Sequence, residues 1–205
     1  REFACKHTDT SLLHRLCAEL PQGKDLPSEC DDLFAGSDLG FGSNWWTYFD
    51  DSSERDGPRH LGLQVEGPDV AKLRASAPPT LRGLLAKLEA GFGIEASAVR
   101  LNLYRSSADF KQLHTDRGRD ARGVPQVTVG LSLGSTRELS LSHWQTGLTM
   151  TFPQHNGDVF AFTPELNKIF LHGVPRLRDV NSASCDHLRI SLILWGSRIL
   201  DQQRL

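Results

Sequence analysis

Cysteine is scarce in this sequence. Only Cys5, Cys17, Cys30 and Cys185 occur among 205 residues, and no two form a CxxC pair. That is too few for a disulfide scaffold and the wrong spacing for a zinc ribbon. It suits reduced, structural thiols in a cytoplasmic or nuclear protein. Long apolar runs are absent as well. None approaches the roughly 18 residues of a membrane span, so no membrane partner is expected. The opening residues, REFACKH, carry no apolar stretch, so no signal peptide is expected. Methionine occurs once, at Met150, so the chain is read as starting after its natural first residue. No internal repeat and no low-complexity tract occurs. Composition excludes a coiled coil, a collagen-like chain and a disordered tail. Neither sign of charge dominates, the net being -2. That balance hides an asymmetry. Residues 1–98 carry 10 Lys+Arg against 16 Asp+Glu, and residues 99–205 carry 13 against 9. The second half could present a positive surface to an anionic ligand.

The chain reads as one domain, 1–205, expected to be monomeric. Residues 1–98 form N-terminal helices and a lid-like hairpin, and residues 99–205 a catalytic core. A helix is predicted from about Thr10 to Leu20, with Asp9 as cap and Leu12, Leu13, Leu16, Cys17 and Leu20 on one face. Pro21 ends it, and 21–43 is a long surface connection. WWTYF (45–49) and HLGLQV (60–65) read as a hairpin. A second helix runs from Pro79 to about Ala90, with Gly91 as its stop. Eight strand-like runs follow, at 99–104, 112–116, 126–134, 138–144, 148–152, 158–162, 168–173 and 188–195. Short strands after two helices predict a mainly β (α+β) fold: a double-stranded β-helix, or jelly roll, with helices on one side.

The sharpest chemical feature is His114-Thr115-Asp116. On a strand, residues i and i+2 share a face, so this His and Asp could grip one ion. A third ligand must come from another strand, and His143, His155, His172 and His187 are the candidates. Two histidines and a carboxylate suit non-haem Fe(II), because they leave positions open for oxygen and a co-substrate. His155 reads as solvated in a PQHNG turn, and His143 as a packing or rim residue. The same tripeptide at His7-Thr8-Asp9 reads as a helix cap. Arg189 opens RISLILW, a run otherwise free of charge. Burying an arginine unpaired is costly. Its partner is either a bound carboxylate, such as that of 2-oxoglutarate, or a protein Asp or Glu.

In this order and spacing the motifs resemble the AlkB branch of the Fe(II)/2-oxoglutarate dioxygenases, across residues 99–197. Asn102-Leu103-Tyr104 resembles the family's Asn-x-Tyr. His114 and Asp116 follow ten and twelve residues after Tyr104. GDVFAFTPELNKIFLHGV resembles the Gly-Asp-Val segment that leads to a His-Gly ligand, here His172, 58 residues after His114. Arg189 follows 17 residues later. The last strand departs from the family's Arg-x-Asn-x-Thr-x-Arg. Ser191, Ile193 and Trp195 stand where Asn, Thr and the second Arg would be. Trp195, six residues after Arg189 on a strand, should share its face, and is read as core filling ahead of the alternative that it packs beneath the co-substrate.

The resemblance implies that His114, Asp116 and His172 hold iron. It implies that Asn102, Tyr104, Arg189 and Ser191 hold 2-oxoglutarate. Oxidation of 2-oxoglutarate to succinate would then drive hydroxylation of a C–H bond, and on an N-methyl group loss of formaldehyde, hence demethylation. The implied substrate is a modified base in DNA or RNA. Aromatics at Trp45, Trp46 and Tyr48 could stack on a flipped or single-stranded base. Arg105, Lys111, Arg117, Arg119 and Arg122 flank the metal motif and could bind phosphates, or the RGRDARG stretch could equally be a solvated loop. The alternatives are the same chemistry on a protein side chain or small molecule, and a jelly-roll binding module without turnover.

Overall fold

In the computed structural model, residues 2–20, 60–104, 107, 109–177 and 188–199 are described, with 47–49 and 60–63 as backbone alone. Among these residues, ten strands form two antiparallel sheets. The major sheet has the order β1-β2-β3-β10-β5-β8 and the minor one β4-β9-β6-β7. Their ranges are β1 Thr47–Phe49, β2 His60–Glu66, β3 Ile94–Tyr104, β4 Lys111–His114, β5 Val127–Gly134, β6 Arg137–His143, β7 Thr149–Gln154, β8 Val159–Phe162, β9 Phe170–Val174 and β10 Arg189–Arg198. The predicted hairpin forms, and β2 pairs onward with β3, so it widens the major sheet.

Strict alternation divides the major sheet. On β3, Val99, Leu101 and Leu103 join the hydrophobic core, while Arg100, Asn102 and Tyr104 point into a pocket between the sheets. On β10, Ile190, Leu192 and Leu194 are core, while Arg189, Ser191, Ile193 and Trp195 line the pocket. Pairing keeps this in register. Leu192 lies between Leu101 and Leu131, and Ser191 between Asn102 and Ser132.

Three helices cover the apolar face: α1 Ser11–Glu19, α2 Pro68–Ser76 and α3 Pro79–Phe92. Leu13, Leu16 and Cys17 of α1 and Leu81, Leu84, Leu85 and Leu88 of α3 are buried against it. Each fully buried leucine contributes about 1.5–3 kcal/mol. The Glu19 carboxylate ties the two helices together, accepting the Thr80 N–H at 2.8 Å and the Thr80 hydroxyl at 2.7 Å. Such a carboxylate also suits the positive start of α3.

Several boundaries differ from the sequence reading. α3 continues through Gly91 to Phe92 and stops at Gly93, whose φ of +60° suits a residue without a side chain. α2 was not foreseen, since only Val70 and Leu73 of its nine residues are buried. A short helix, α4 Pro164–Ile169, occupies the expected connection before β9. Thr10 stands at the α1 cap position, and Asp9 accepts the Ser11 N–H at 3.0 Å. Among the described residues, no helix is long and apolar enough to cross a membrane.

Candidate active site

β4 and β9 are antiparallel neighbours, and their register sets His114 opposite His172. The two rings lie 4.3 Å apart, centre to centre. Gly173 makes the close pairing possible, because a Cβ there would sit 2.6 Å from the Lys111 carbonyl oxygen. The small residue of the His-Gly pair therefore brings one histidine up to the other.

Asp116 is not on the strand, contrary to expectation. β4 ends at His114, and Asp116 follows in irregular chain. Its position is fixed from α4 instead. Asn167, buried, accepts the Asp116 N–H at 2.9 Å and donates to the Asp116 carbonyl at 3.0 Å. This double clamp sets Oδ1 of Asp116 at 3.5 Å from Nε2 of His172 and 3.8 Å from Nε2 of His114. The other oxygen, Oδ2, accepts the Thr128 hydroxyl at 2.8 Å. All three ligand atoms lie within 4.8 Å of one another.

Protonation states suit a divalent metal. Nδ1 of His114 bonds the Gln112 carbonyl at 2.8 Å, which fixes the proton there and leaves Nε2 as the lone-pair donor. Burial, and then the neighbouring His172, push the His114 pKa down to about 4. Burial would raise that of Asp116, but His172, Trp195 and Thr128 outweigh it and hold it at about 2. At neutral pH His114 is neutral and Asp116 ionised, as metal ligation requires.

Deeper in the same pocket sits Arg189, 1% exposed. Its Nε donates to the Ser132 hydroxyl at 2.8 Å, and the guanidinium lies 4.9 Å from the centre of the Tyr104 ring. Its Nη1 has no hydrogen-bond partner, and Arg189 forms no ion pair among the described residues. Burial lowers its pKa, with Tyr104 opposing. The Oδ1 of Asn102 is also buried without a partner. A buried cation with an unused donor, at the end of a pocket that begins at His114 and His172, fits a ligand carrying a carboxylate. The Arg137 guanidinium also lies over the Tyr104 ring, 5.3 Å from its centre, and donates to the Asp109 and Pro175 carbonyls. The reasoning applied to Arg189 does not single it out, because Glu138 follows it directly on β6.

Trp195 corrects the sequence reading. It shares the Arg189 face as the strand period predicts, but instead of filling the core it lines the pocket beside Arg100 and the triad. Its indole N–H helps lower the Asp116 pKa, yet makes no hydrogen bond of ordinary geometry.

Outside the triad, a groove of about 660 Å³ opens onto His114, Asp116 and Trp195. Arg117, Arg119 and Arg122 all line it, as do Arg74 and Arg100. Arg117 lies 3.6 Å from Glu66, Arg119 donates to the Gly123 carbonyl at 2.6 Å, and Arg122 pairs with Asp120 at 2.9 Å. Trp45, Trp46, Arg105 and His187 lie outside the described residues, as do Cys30 and Cys185; Tyr48 is described by its backbone alone. His143 packs edge-on against Phe170, in keeping with the packing role expected of it. His155 is not simply solvated, because its ring bonds Asp158.

A jelly roll with two histidines and a carboxylate at its mouth, and a buried arginine behind them, defines a non-haem iron oxygenase layout. The sequence matches the model of the 2OG-Fe(II) oxygenase superfamily over residues 54–194, and the chain belongs to that superfamily. It is a 2-oxoglutarate-dependent dioxygenase whose cofactors are Fe(II) and 2-oxoglutarate. The solved structure of OsALKBH1 matches with a TM-score of 0.51 at 17% identity, covering 78% of this chain and 87% of that one. The shared fold agrees with the AlkB-like motifs. An oxidoreductase of the 2OG-Fe(II) oxygenase family from Burkholderia pseudomallei matches with a TM-score of 0.43 at 18% identity, covering 69% of each chain. No curated protein matches the sequence.

Proposed function

We propose that this enzyme hydroxylates a modified base in DNA or RNA, demethylating it where the target is an N-methyl group. The carrying observation is the 660 Å³ groove that leads to the triad with five arginines on its walls. A nucleic-acid strand needs such cations for its phosphates.

Within this reading, His114, Asp116 and His172 are the iron ligands. Arg189, with Tyr104, Asn102 and Ser191, is the seat of 2-oxoglutarate. Bound there, the iron and co-substrate supply the oxidising power for C–H hydroxylation. The chain's own groups do the rest. Asn167 and Thr128 hold Asp116 in one orientation. Gln112 keeps the proton of His114 away from the metal side. Arg189 fixes the distal carboxylate in a shielded pocket, where its charge is little screened. Trp195 and Arg100 form the wall between pocket and groove.

A second reading draws on the acids in the same groove. Glu66, Glu95 and Asp120 also line it, and three of the five arginines, Arg74, Arg117 and Arg122, are already paired with acids. That balance favours a protein side chain or small molecule. Titrating a fluorescent single-stranded oligonucleotide at two salt concentrations separates the readings. Nucleic-acid binding should weaken steeply with salt, and Arg117→Ala, Arg119→Ala and Arg122→Ala combined should flatten that dependence. No binding at low salt would favour the second reading.

A further inference from the structure

A second His/His/Asp cluster lies away from the active site. His7, in the turn before α1, meets His155 and Asp158 in the turn between β7 and β8, and their ligand atoms lie within 4.8 Å of one another. We propose that His7, His155 and Asp158 form a second metal site, which takes a borderline divalent cation such as zinc(II).

The donor geometry fits. Nε2 of His7 is 2.9 Å from Oδ1 of Asp158, and Nδ1 of His155 is 3.1 Å from Oδ2. Metal–ligand bonds of about 2.0–2.2 Å put neighbouring donors on one tetrahedral zinc ion about 3.3–3.6 Å apart, so these contacts need open by only about 0.5 Å to admit it. The rings stack 4.7 Å apart at 22°, so both present a nitrogen to the same carboxylate. An ion here would sit across both oxygens of Asp158. At the active site, by contrast, both imidazoles face one oxygen of Asp116.

The surroundings fit as well. Nδ1 of His7 lies 4.0 Å from the Glu2 carboxylate. With Nε2 on a metal, the ring proton moves to Nδ1, where Glu2 can accept it, a common support for zinc-bound histidine. Asp158 is buried, while the two histidines are about one-third exposed. The open side leaves coordination positions for water, as a three-ligand zinc site needs.

The cluster is also held by bonds that use none of its donors. Asn156 donates to the Lys6 carbonyl at 3.1 Å and the Asp9 carbonyl at 2.7 Å. Ala4 donates to the Gly157 carbonyl at 3.1 Å. Gly157, at φ +81°, packs its bare α-carbon against the Cys5 backbone. A bound metal would therefore clamp residues 2–9 onto the turn that leads into β8. Phe160 of that strand lines the active-site pocket.

The rival is a purely hydrogen-bonded latch. Asp158 already accepts the Glu2 N–H at 2.9 Å and the His155 N–H at 3.2 Å besides the two rings. Equilibrium dialysis of the full chain against zinc(II) distinguishes the two. The iron triad would take zinc as well, so five proteins are compared. Wild type should retain two equivalents. His155→Gln should retain one, and so should the Asp116→Ala, His172→Ala variant. The three substitutions combined should retain none. His7→Gln should reproduce the loss seen with His155→Gln, and urea midpoints in chelator confirm that each variant folds. Zinc should also raise the melting temperature of the Asp116→Ala, His172→Ala variant. A wild type holding one equivalent, lost with the triad and unchanged by His155→Gln and His7→Gln, would overturn the proposal.

Discussion

The two faces of the major sheet are built from the same three central strands and do opposite work. One face carries Leu101, Leu192 and Leu131 side by side against the helices. One residue along, the other face carries Asn102, Ser191 and Ser132, with Arg189 a further step away. The first face gains free energy by excluding water. The second gives some up, since a guanidinium is buried with an unused donor. Stability and function are thus separated by the pleat, at single-residue resolution.

The contrast is testable from both sides. The largest effect should come from Arg189→Met. Charge-assisted bonds contribute about 1.5–3 kcal/mol each. Losing a bidentate pair should therefore raise the 2-oxoglutarate KM by about 100-fold or more. Stability in urea should stay level or rise, because the substitution removes an uncompensated buried charge. A large drop in stability with normal 2-oxoglutarate use would erase the distinction between the faces. Leu192→Ala, on the opposite face, should do the reverse. It should lower the unfolding free energy by about 2–5 kcal/mol and leave the 2-oxoglutarate KM of the folded protein unchanged.

Asn167→Ala probes how the polar face is braced. It removes both clamps on the Asp116 backbone, so iron affinity should fall about 10–100-fold. The measurement is competition with a chelator of known affinity. The smallest effect is a pH dependence of the metal-free protein. His114 has a folded pKa of about 4, below its ordinary 6.5. The unfolded chain therefore takes up the proton first. The His114 contribution is complete above pH 6.5 and is lost as pH falls from 6.5 to 4. His114→Gln should flatten the urea midpoint across that window, with chelator present throughout.

Much of this could be read from the sequence because the alternation of β3, β10 and β5 is strict. A lone arginine in RISLILW is legible as a buried cation, and His114 and His172 are legible as partners through their motifs. The fixing of Asp116 was not. Its partner, Asn167, sits 51 residues away on a six-residue helix with a single buried position. Nothing in PELNKI marks that residue. Trp195 was misread for a related reason. Strand alternation puts Trp195 on the Arg189 face, but the sequence does not show that this face borders a pocket, so a large aromatic at the end of an apolar run reads as core. The His7 cluster was hidden because its members lie about 150 residues apart.

The most direct test is an anaerobic titration of the metal-free enzyme with Fe(II) and 2-oxoglutarate, read by the visible charge-transfer absorption that arises when 2-oxoglutarate chelates the iron. That signal ignores metal bound elsewhere on the chain. The account predicts a saturable band at one equivalent of Fe(II) in wild type and in His155→Gln. The band should be absent in Asp116→Ala and His172→Ala, and in Arg189→Met it should need far more 2-oxoglutarate. An undiminished band in Asp116→Ala, or the same 2-oxoglutarate dependence in Arg189→Met as in wild type, would contradict it.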